Sequence, residues 1–272
     1  MSSQSTNLEG ALQLAFADAF AHICVLDVID STNAEAIRRI NAGQEARQIV
    51  VALSQSAGRG RRGRQWLSPA GAGIYLTFTW DFAESVTALQ ALSLVTAISV
   101  QQAIAGQGLS NVQLKWPNDI LVAEQKLAGI LLETCNTEKG VVIVFGVGIN
   151  LDLPDETIAQ IDRPITDMRR AGSQQADLPV LLTELLQRWQ RNVTIFQAQG
   201  FAPFMDSWNE LDSYNGREVT VSGGTRHWQG VSQGVDETGA LVVLTDDGIQ
   251  QISGGEVLPT LRPTGRDSHA DA

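Results

Sequence analysis

Leu8, Leu12, Phe16 and Phe20 recur at helical spacing and predict a short amphipathic helix over residues 8–20. Residues 22–30, HICVLDVID, read as a strand running into the polar turn Ser31-Thr32-Asn33. A helix over 33–41 follows, with Gly43 as its stop. Residues 48–56 form a strand that empties into an arginine-rich loop, and 73–80 resume as a strand. The clearest long helix is predicted over 87–105 and is apolar enough to be largely buried. Strands at 112–116, 119–123, 126–134 and 140–151 are then separated by very short connections. Such connections force antiparallel neighbours, because a parallel crossover needs about a dozen residues. Helices at 178–199, apolar at Leu181, Leu182, Leu185, Leu186 and Trp189, and at 201–211 complete this part.

The pattern is α+β: a mixed or antiparallel sheet with helices against it, and no Rossmann alternation. The composition shifts near Tyr214, where short strands at 217–223, 227–236, 239–245, 248–253 and 256–261 alternate with glycine-rich turns. That is a small β-barrel signature. The expected division is a first domain over 1–212, a barrel over 213–262 and a disordered polar tail over 263–272.

Charge narrows the choice of ligand. The 272 residues carry a formal net charge of −11, which disfavours nucleic acid and anionic membranes as partners. Any anionic ligand must therefore be met by local positive charge. Four of only 19 basic residues sit together at Arg59, Arg61, Arg62 and Arg64. Two isolated cysteines, Cys24 and Cys135, give neither a disulfide framework nor metal-ligand spacing. The first residues lack a secretory pattern, and the longest apolar run falls well short of a membrane span, so a cytoplasmic protein is expected.

Gly58, Gly60 and Gly63 alternate with those arginines directly after a strand. Glycine lets backbone N–H groups converge on an anion, and arginine offers a permanent charge in a fork matched to carboxylate or phosphate oxygens. A solvated basic turn is the plain alternative, but its setting between two apolar strands favours a ligand. In Lys115-Trp116-Pro117-Asn118-Asp119 the proline ends the strand and displays an amide and a carboxylate, which could equally be a structural hairpin turn. Lys126 begins the next strand, seven residues after Asp119. Gly146 and Gly148 close an apolar strand at GVGIN, where close packing is the commoner reason for glycine. His22, His227 and His269 are scattered, and no serine sits in a nucleophile elbow. What remains is charge neutralisation and positioning, the requirements of nucleotidyl transfer.

Ser31-Thr32-Asn33, SQSAGRGRRGRQW at 54–66, KWPND at 115–119, KLAGIL at 126–131 and GVGIN at 146–150, in this order, make the chain resemble the biotin–protein ligases over roughly residues 22–262. The resemblance implies a catalytic domain akin to class II aminoacyl-tRNA synthetases followed by an SH3-like barrel. It implies biotin and MgATP as substrates, biotinyl-5′-AMP as intermediate, and the biotin carboxyl carrier domain of acetyl-CoA carboxylase as acceptor. Carried over by motif, Ser31, Thr32, Asn33, Gln55, Arg59, Gly60, Arg61 and Lys126 meet biotin or its activated form. Arg61, Arg64, Trp66, Lys115, Asn118 and Asn150 belong to the ATP side, with Asn118 near Mg2+ through the phosphates. Lys126, Arg61 and Asp119 are the candidate catalytic residues, Asp119 as proton acceptor for the incoming lysine.

Family members often dimerise, so a homodimer is compatible with the resemblance, although no apolar edge marks an interface. Some members add an N-terminal DNA-binding domain. About 30 residues precede Ser31, too few for one, so the short form without repressor activity is expected. A lipoate or octanoate ligase is the alternative enzyme; a non-enzymatic binding module and a DNA-binding regulator are the rivals from other classes.

Overall fold

The computed structural model describes residues 2–82, 89–138, 140–173 and 177–259. The tail predicted over 263–272 and the first two residues of the helix predicted at 87 lie outside them.

Helix α1 (Ser3–Phe16) starts earlier than its apolar spacing suggests, because the Ser2 side chain caps it by accepting from Ser5 N–H. Phe20 falls beyond the helix yet stays in the core, edge-on to Phe16 at 6.2 Å. Strand β1 (His22–Leu26) is shorter than predicted. Past Leu26 the chain leaves the ladder, exposing Val28, and rejoins it only at the isolated Ile29–Gln55 bridge. Helix α2 (Thr32–Asn41) is capped by Ser31, with Glu35 in its first turn and Arg38 and Arg39 in its last, as its dipole favours.

Strands β2 (Gln48–Ala52) and β3 (Gly73–Phe82), helix α3 (Leu89–Gly106), then β4 (Val112–Lys115), β5 (Asp119–Val122), β6 (Gln125–Thr137) and β7 (Gly140–Asn150) follow. They make one seven-stranded sheet in the order β1-β2-β3-β7-β6-β5-β4. Its pairs are antiparallel except β1 with β2, which are parallel because α2 crosses between them. The short connections predicted this mixed sheet correctly.

Alternation along β3 sorts its two faces. Phe78 and Trp80 point to the helical side, where Phe78 stacks on Phe145 at 5.0 Å and both rings meet Trp189 of α5 (Leu178–Gln199). Thr77 points to the opposite face, beneath α2. After the short α4 (Asp155–Ile158) and α5, the helix expected over 201–211 resolves into a 3-10 turn at Ala202–Phe204 and α6 (Met205–Leu211). Pro203, without an N–H, belongs to that first turn.

The remaining strands, β8 (Glu218–Gly223), β9 (Arg226–Val235), β10 (Leu241–Thr245), β11 (Gly248–Ile252) and β12 (Glu256–Pro259), form a five-stranded antiparallel sheet in the order β11-β10-β9-β8-β12. Val219, Val221, Leu241, Val243 and Val257 join the core of the larger sheet. No helix among the described residues is long and apolar enough to cross a membrane.

Candidate active site

The face of the large sheet that carries α2 opens into a bay enclosing about 820 Å3 of open space, including solvent. One end is uncharged. The Thr32 N–H donates to Gln55 Oε1 at 2.8 Å, and the Gln55 amide donates to the Ser68 hydroxyl at 2.9 Å. The buried Thr77 hydroxyl donates to Asn33 Oδ1 at 2.6 Å. Ser31, Thr32 and Asn33 are themselves buried at the start of α2, and all three line the bay.

The other end holds cations. The two-residue turn at Ala123 and Glu124, both at positive φ, folds β6 back on β5. The register then slips, so that Ile120 faces Ala128 but Leu121 faces Lys126. Such a bulge re-aims side chains, and Lys126 Nζ reaches Asp119 Oδ1 at 2.5 Å. The Lys126 side chain is 10% exposed. Burial pushes its pKa down, opposed chiefly by the Asp119 carboxylate and reinforced by Arg163. Lys115 is likewise pushed down by burial, against the pull of Asp119 and Glu256.

Trp66 lies across β6 and β7, its ring 5.3 Å from Lys126 Nζ. It fits because Gly129 and Gly148 face each other in the ladder. A Cβ on Gly148 would come within 2.5 Å of the indole, and one on Gly129 within 2.9 Å of the Lys126 side chain. Gly146 leaves room for Asn33 in the same way, at 2.4 Å. The close approaches at GVGIN are therefore made by side chains from α2 and from the arginine loop.

That loop is shaped by left-handed Arg62 (φ 57°) and Gly63 (φ 73°). Its arginines diverge. Arg61 donates to Asn118 Oδ1 at 2.9 Å, while the Asn118 amide donates to the Ile130 carbonyl at 2.8 Å. Burial lowers the Arg61 pKa, and Arg62 beside it adds to that. Arg59 pairs with Glu133 at 3.0 Å. Arg64 pairs with both oxygens of Glu256, one at 2.8 Å, and Arg62 donates to the Ser222 carbonyl at 3.0 Å. Glu256 and Ser222 belong to β12 and β8, so the second sheet forms one wall of the bay.

Of the residues singled out in the sequence, Ser31, Thr32, Asn33, Gln55, Arg59, Gly60, Arg61, Arg64, Trp66, Lys115, Asn118, Asp119 and Lys126 all line this bay. Asn150 does not. It is buried behind the bay, donating to the Thr166 carbonyl at 2.9 Å and so holding the segment after α4. Pattern reading missed Thr77, Glu133, Arg163 and Glu256. Arg163 rides on a segment bonded to the Lys126 backbone, through Lys126 N–H to Pro164 O and Thr166 N–H to Lys126 O, both 3.0 Å. Thr77, Glu133 and Arg163 lie in no glycine-rich or charged run, and Glu256 follows a Gly-Gly turn that reads as an ordinary strand connection, so their spatial neighbours mark them.

A buried cation-rich end facing an uncharged donor–acceptor end suits a small organic acid held against a polyanion, the arrangement of an acid-activating ligase. The chain belongs to the Biotin/lipoate A/B protein ligase family, whose model matches residues 25–150, with the Biotin protein ligase C terminal domain matching 214–258. The bifunctional ligase/repressor BirA of Escherichia coli (strain K12) is 35% identical over 236 residues, covering 86% of this chain and 73% of its own. The biotin–[acetyl-CoA-carboxylase] ligase of Paracoccus denitrificans is 34% identical, covering 84% of this chain and 96% of its own. Among solved structures, the biotin protein ligase from Aquifex aeolicus in complex with biotin and ATP superposes with a TM-score of 0.76 at 30% identity, covering 88% of this chain and 98% of that one.

Proposed function

We propose that this protein is a biotin–protein ligase: it condenses biotin with ATP to biotinyl-5′-AMP and pyrophosphate, then passes biotin to a lysine of a biotin carboxyl carrier domain. The observation that carries the reading is the division of one bay into an uncharged end at Thr32, Asn33 and Gln55 and a cationic end at Arg61, Lys115 and Lys126. A ureido ring satisfies the first and a carboxylate beside phosphates the second. A lipoyl or octanoyl tail brings no matching donor or acceptor to these groups, which then keep only the bonds they make to one another and gain nothing from it.

In this reading Ser31, Thr32, Asn33 and Gln55 fix the ring, while Arg59, Gly60 and Arg61 close over the acid. Lys126 holds the carboxylate oxygen that attacks the α-phosphorus. Lys115, Arg61 and Arg64 offset the charge that develops as pyrophosphate leaves. In the second step a neutral lysine amine attacks the acyl carbonyl, AMP departs, and Asp119 accepts the proton. Trp66 and Asn118 serve the nucleotide side, and Asn150 supports it from behind. Residues 1–212 carry both steps, and 213–262 contribute Glu256 to the wall.

The resemblance also implies Mg2+. Among the described residues no three His, Cys, Asp or Glu side chains cluster to hold an ion, and the Asn118 oxygen is taken by Arg61. The described side chains therefore do not make a magnesium cage, and the ion would ride on the phosphates. The deciding assay is pyrophosphate exchange into ATP with biotin, lipoate or octanoate. Exchange with biotin is expected. Exchange with lipoate or octanoate alone transfers the assignment to the lipoate branch, and none with any acid refutes both.

A further inference from the structure

Glu133 stands on β6 at the rim of the bay, and no motif includes it. One carboxylate oxygen, Oε2, accepts a hydrogen bond from one residue and pairs with the charge of another, and the two come from different places in the chain. Asn33 Nδ2, at the start of α2, donates at 2.8 Å, and Arg59 Nη2, at the entry of the arginine loop, lies at 3.0 Å. Because the Asn33 amide nitrogen must face this carboxylate, its oxygen is turned to Thr77, whose hydroxyl donates to it. The Thr77 and Thr32 hydroxyl oxygens are 2.8 Å apart, and Thr32 N–H is bound to Gln55. A continuous polar chain thus runs from Gln55, through Thr32, Thr77 and Asn33, to Glu133 and then Arg59. It crosses three strands of the sheet, and Gly146 is the residue whose missing Cβ lets Asn33 lie in it.

We propose that Glu133 is a positioning residue that clasps the arginine loop to the uncharged end of the bay, so that a ring seated on Thr32 and Gln55 holds Arg59 closed over the acyl group. Glu133 touches no reacting atom; it acts through Asn33 and Arg59. This rests on the ligase reading above. An ion pair with a half-exposed arginine has modest strength, so the expected effect is selective and not abolishing.

The experiment compares the parent with Glu133→Gln in release of preformed biotinyl-5′-AMP and in steady-state pyrophosphate exchange. Release should be about five- to tenfold faster in the variant, and KM for biotin should rise by a similar factor, with kcat within about twofold. The double variant Glu133→Gln/Arg59→Ala should release no faster than Arg59→Ala alone, since both remove one clasp. Unchanged release in folded Glu133→Gln, or additive acceleration in the double variant, overturns the proposal. If Glu133→Gln does not fold, Glu133→Asp, which keeps the charge at shorter reach, takes its place in the same cycle and must show a smaller acceleration that Arg59→Ala abolishes. A second readout needs no activity: tryptic cleavage within residues 58–66 should be several-fold faster in the variant than in the parent. A parent that makes no adenylate would sink the ligase reading alone, and equal cleavage rates would sink the clasp.

Discussion

Asp119→Asn removes the carboxylate in contact with the buried Lys126 ammonium. The Lys126 side chain is 10% exposed and that of Asp119 18%, and their charged atoms are 2.5 Å apart. Breaking such a pair by neutralising one partner costs roughly 3–5 kcal/mol, because the remaining charge stays buried. Part is recovered here: the asparagine oxygen still accepts one bond, and Lys126 can shed its proton. We therefore expect a loss of roughly 2–4 kcal/mol at neutral pH. The sign of its pH dependence follows from burial. The folded pKa of Lys126 is already pushed below the ordinary value of 10.5 by burial, and without Asp119 nothing named above offsets the further lowering by Arg163 and Lys115. The unfolded chain then binds more protons than the folded one, so the stability of the variant rises with pH up to the ordinary lysine value. Urea unfolding of both proteins at pH 7 and pH 10 measures this, and the gap must narrow at the higher pH. A gap of equal size at both would show that the pair is not its cause. The same variant tests the proton-acceptor role: a normal rate of transfer from preformed adenylate across pH would remove Asp119 from the second step.

Three further outcomes are expected. Gly148→Ala places a methyl group within 2.5 Å of the Trp66 indole, so the loop must shift; a destabilisation of about 1–3 kcal/mol and weaker ATP binding should appear in thermal unfolding and titration calorimetry. Asp212 is 8% exposed, accepts from Tyr214 N–H with Oδ1, and among the described residues has no hydrogen-bond partner for Oδ2, so burial pushes its pKa up to about 6. A raised carboxylate pKa means stability present below the unfolded value of 3.8 is lost as pH rises through about 6; Asp212→Asn should therefore gain about 1–2 kcal/mol at pH 7.5 and nothing near pH 3.8, by denaturant titration at both. Arg61→Ala, which breaks the tie to Asn118, should release adenylate faster than the parent, and unchanged release would exclude a retaining role for that arginine.

Much of the scaffold was legible because burial follows simple periods. The apolar runs at 73–80 and 140–151 predicted strands, the leucine spacing of 181–189 predicted a helix with one buried face, and the short connections predicted antiparallel neighbours. The site was legible where chemistry needs runs of unusual residues, as at 58–66 and 115–119. What escaped was set by contacts between distant segments. The Lys126 side chain depends on a bulge that no propensity encodes, and Asn150 reads as a strand-end polar residue until its partner, the Thr166 carbonyl, is known. Glu133 and Glu256 look like ordinary surface acids, and only folding brings them against Arg59 and Arg64. Ser2 extended α1 because a cap, unlike an apolar stripe, is a single residue.

The pairing of Arg64 with Glu256 has a consequence for how the protein is made. The two residues are 192 positions apart, and Glu256 begins the last described strand. At translation rates of about 5–20 residues per second, the arginine loop waits roughly 10–40 s for this counter-charge. Through that interval the nascent chain presents Arg62 and Arg64 without it, as a short-lived basic patch on an otherwise acidic polypeptide, and the arrival of β12 extinguishes it.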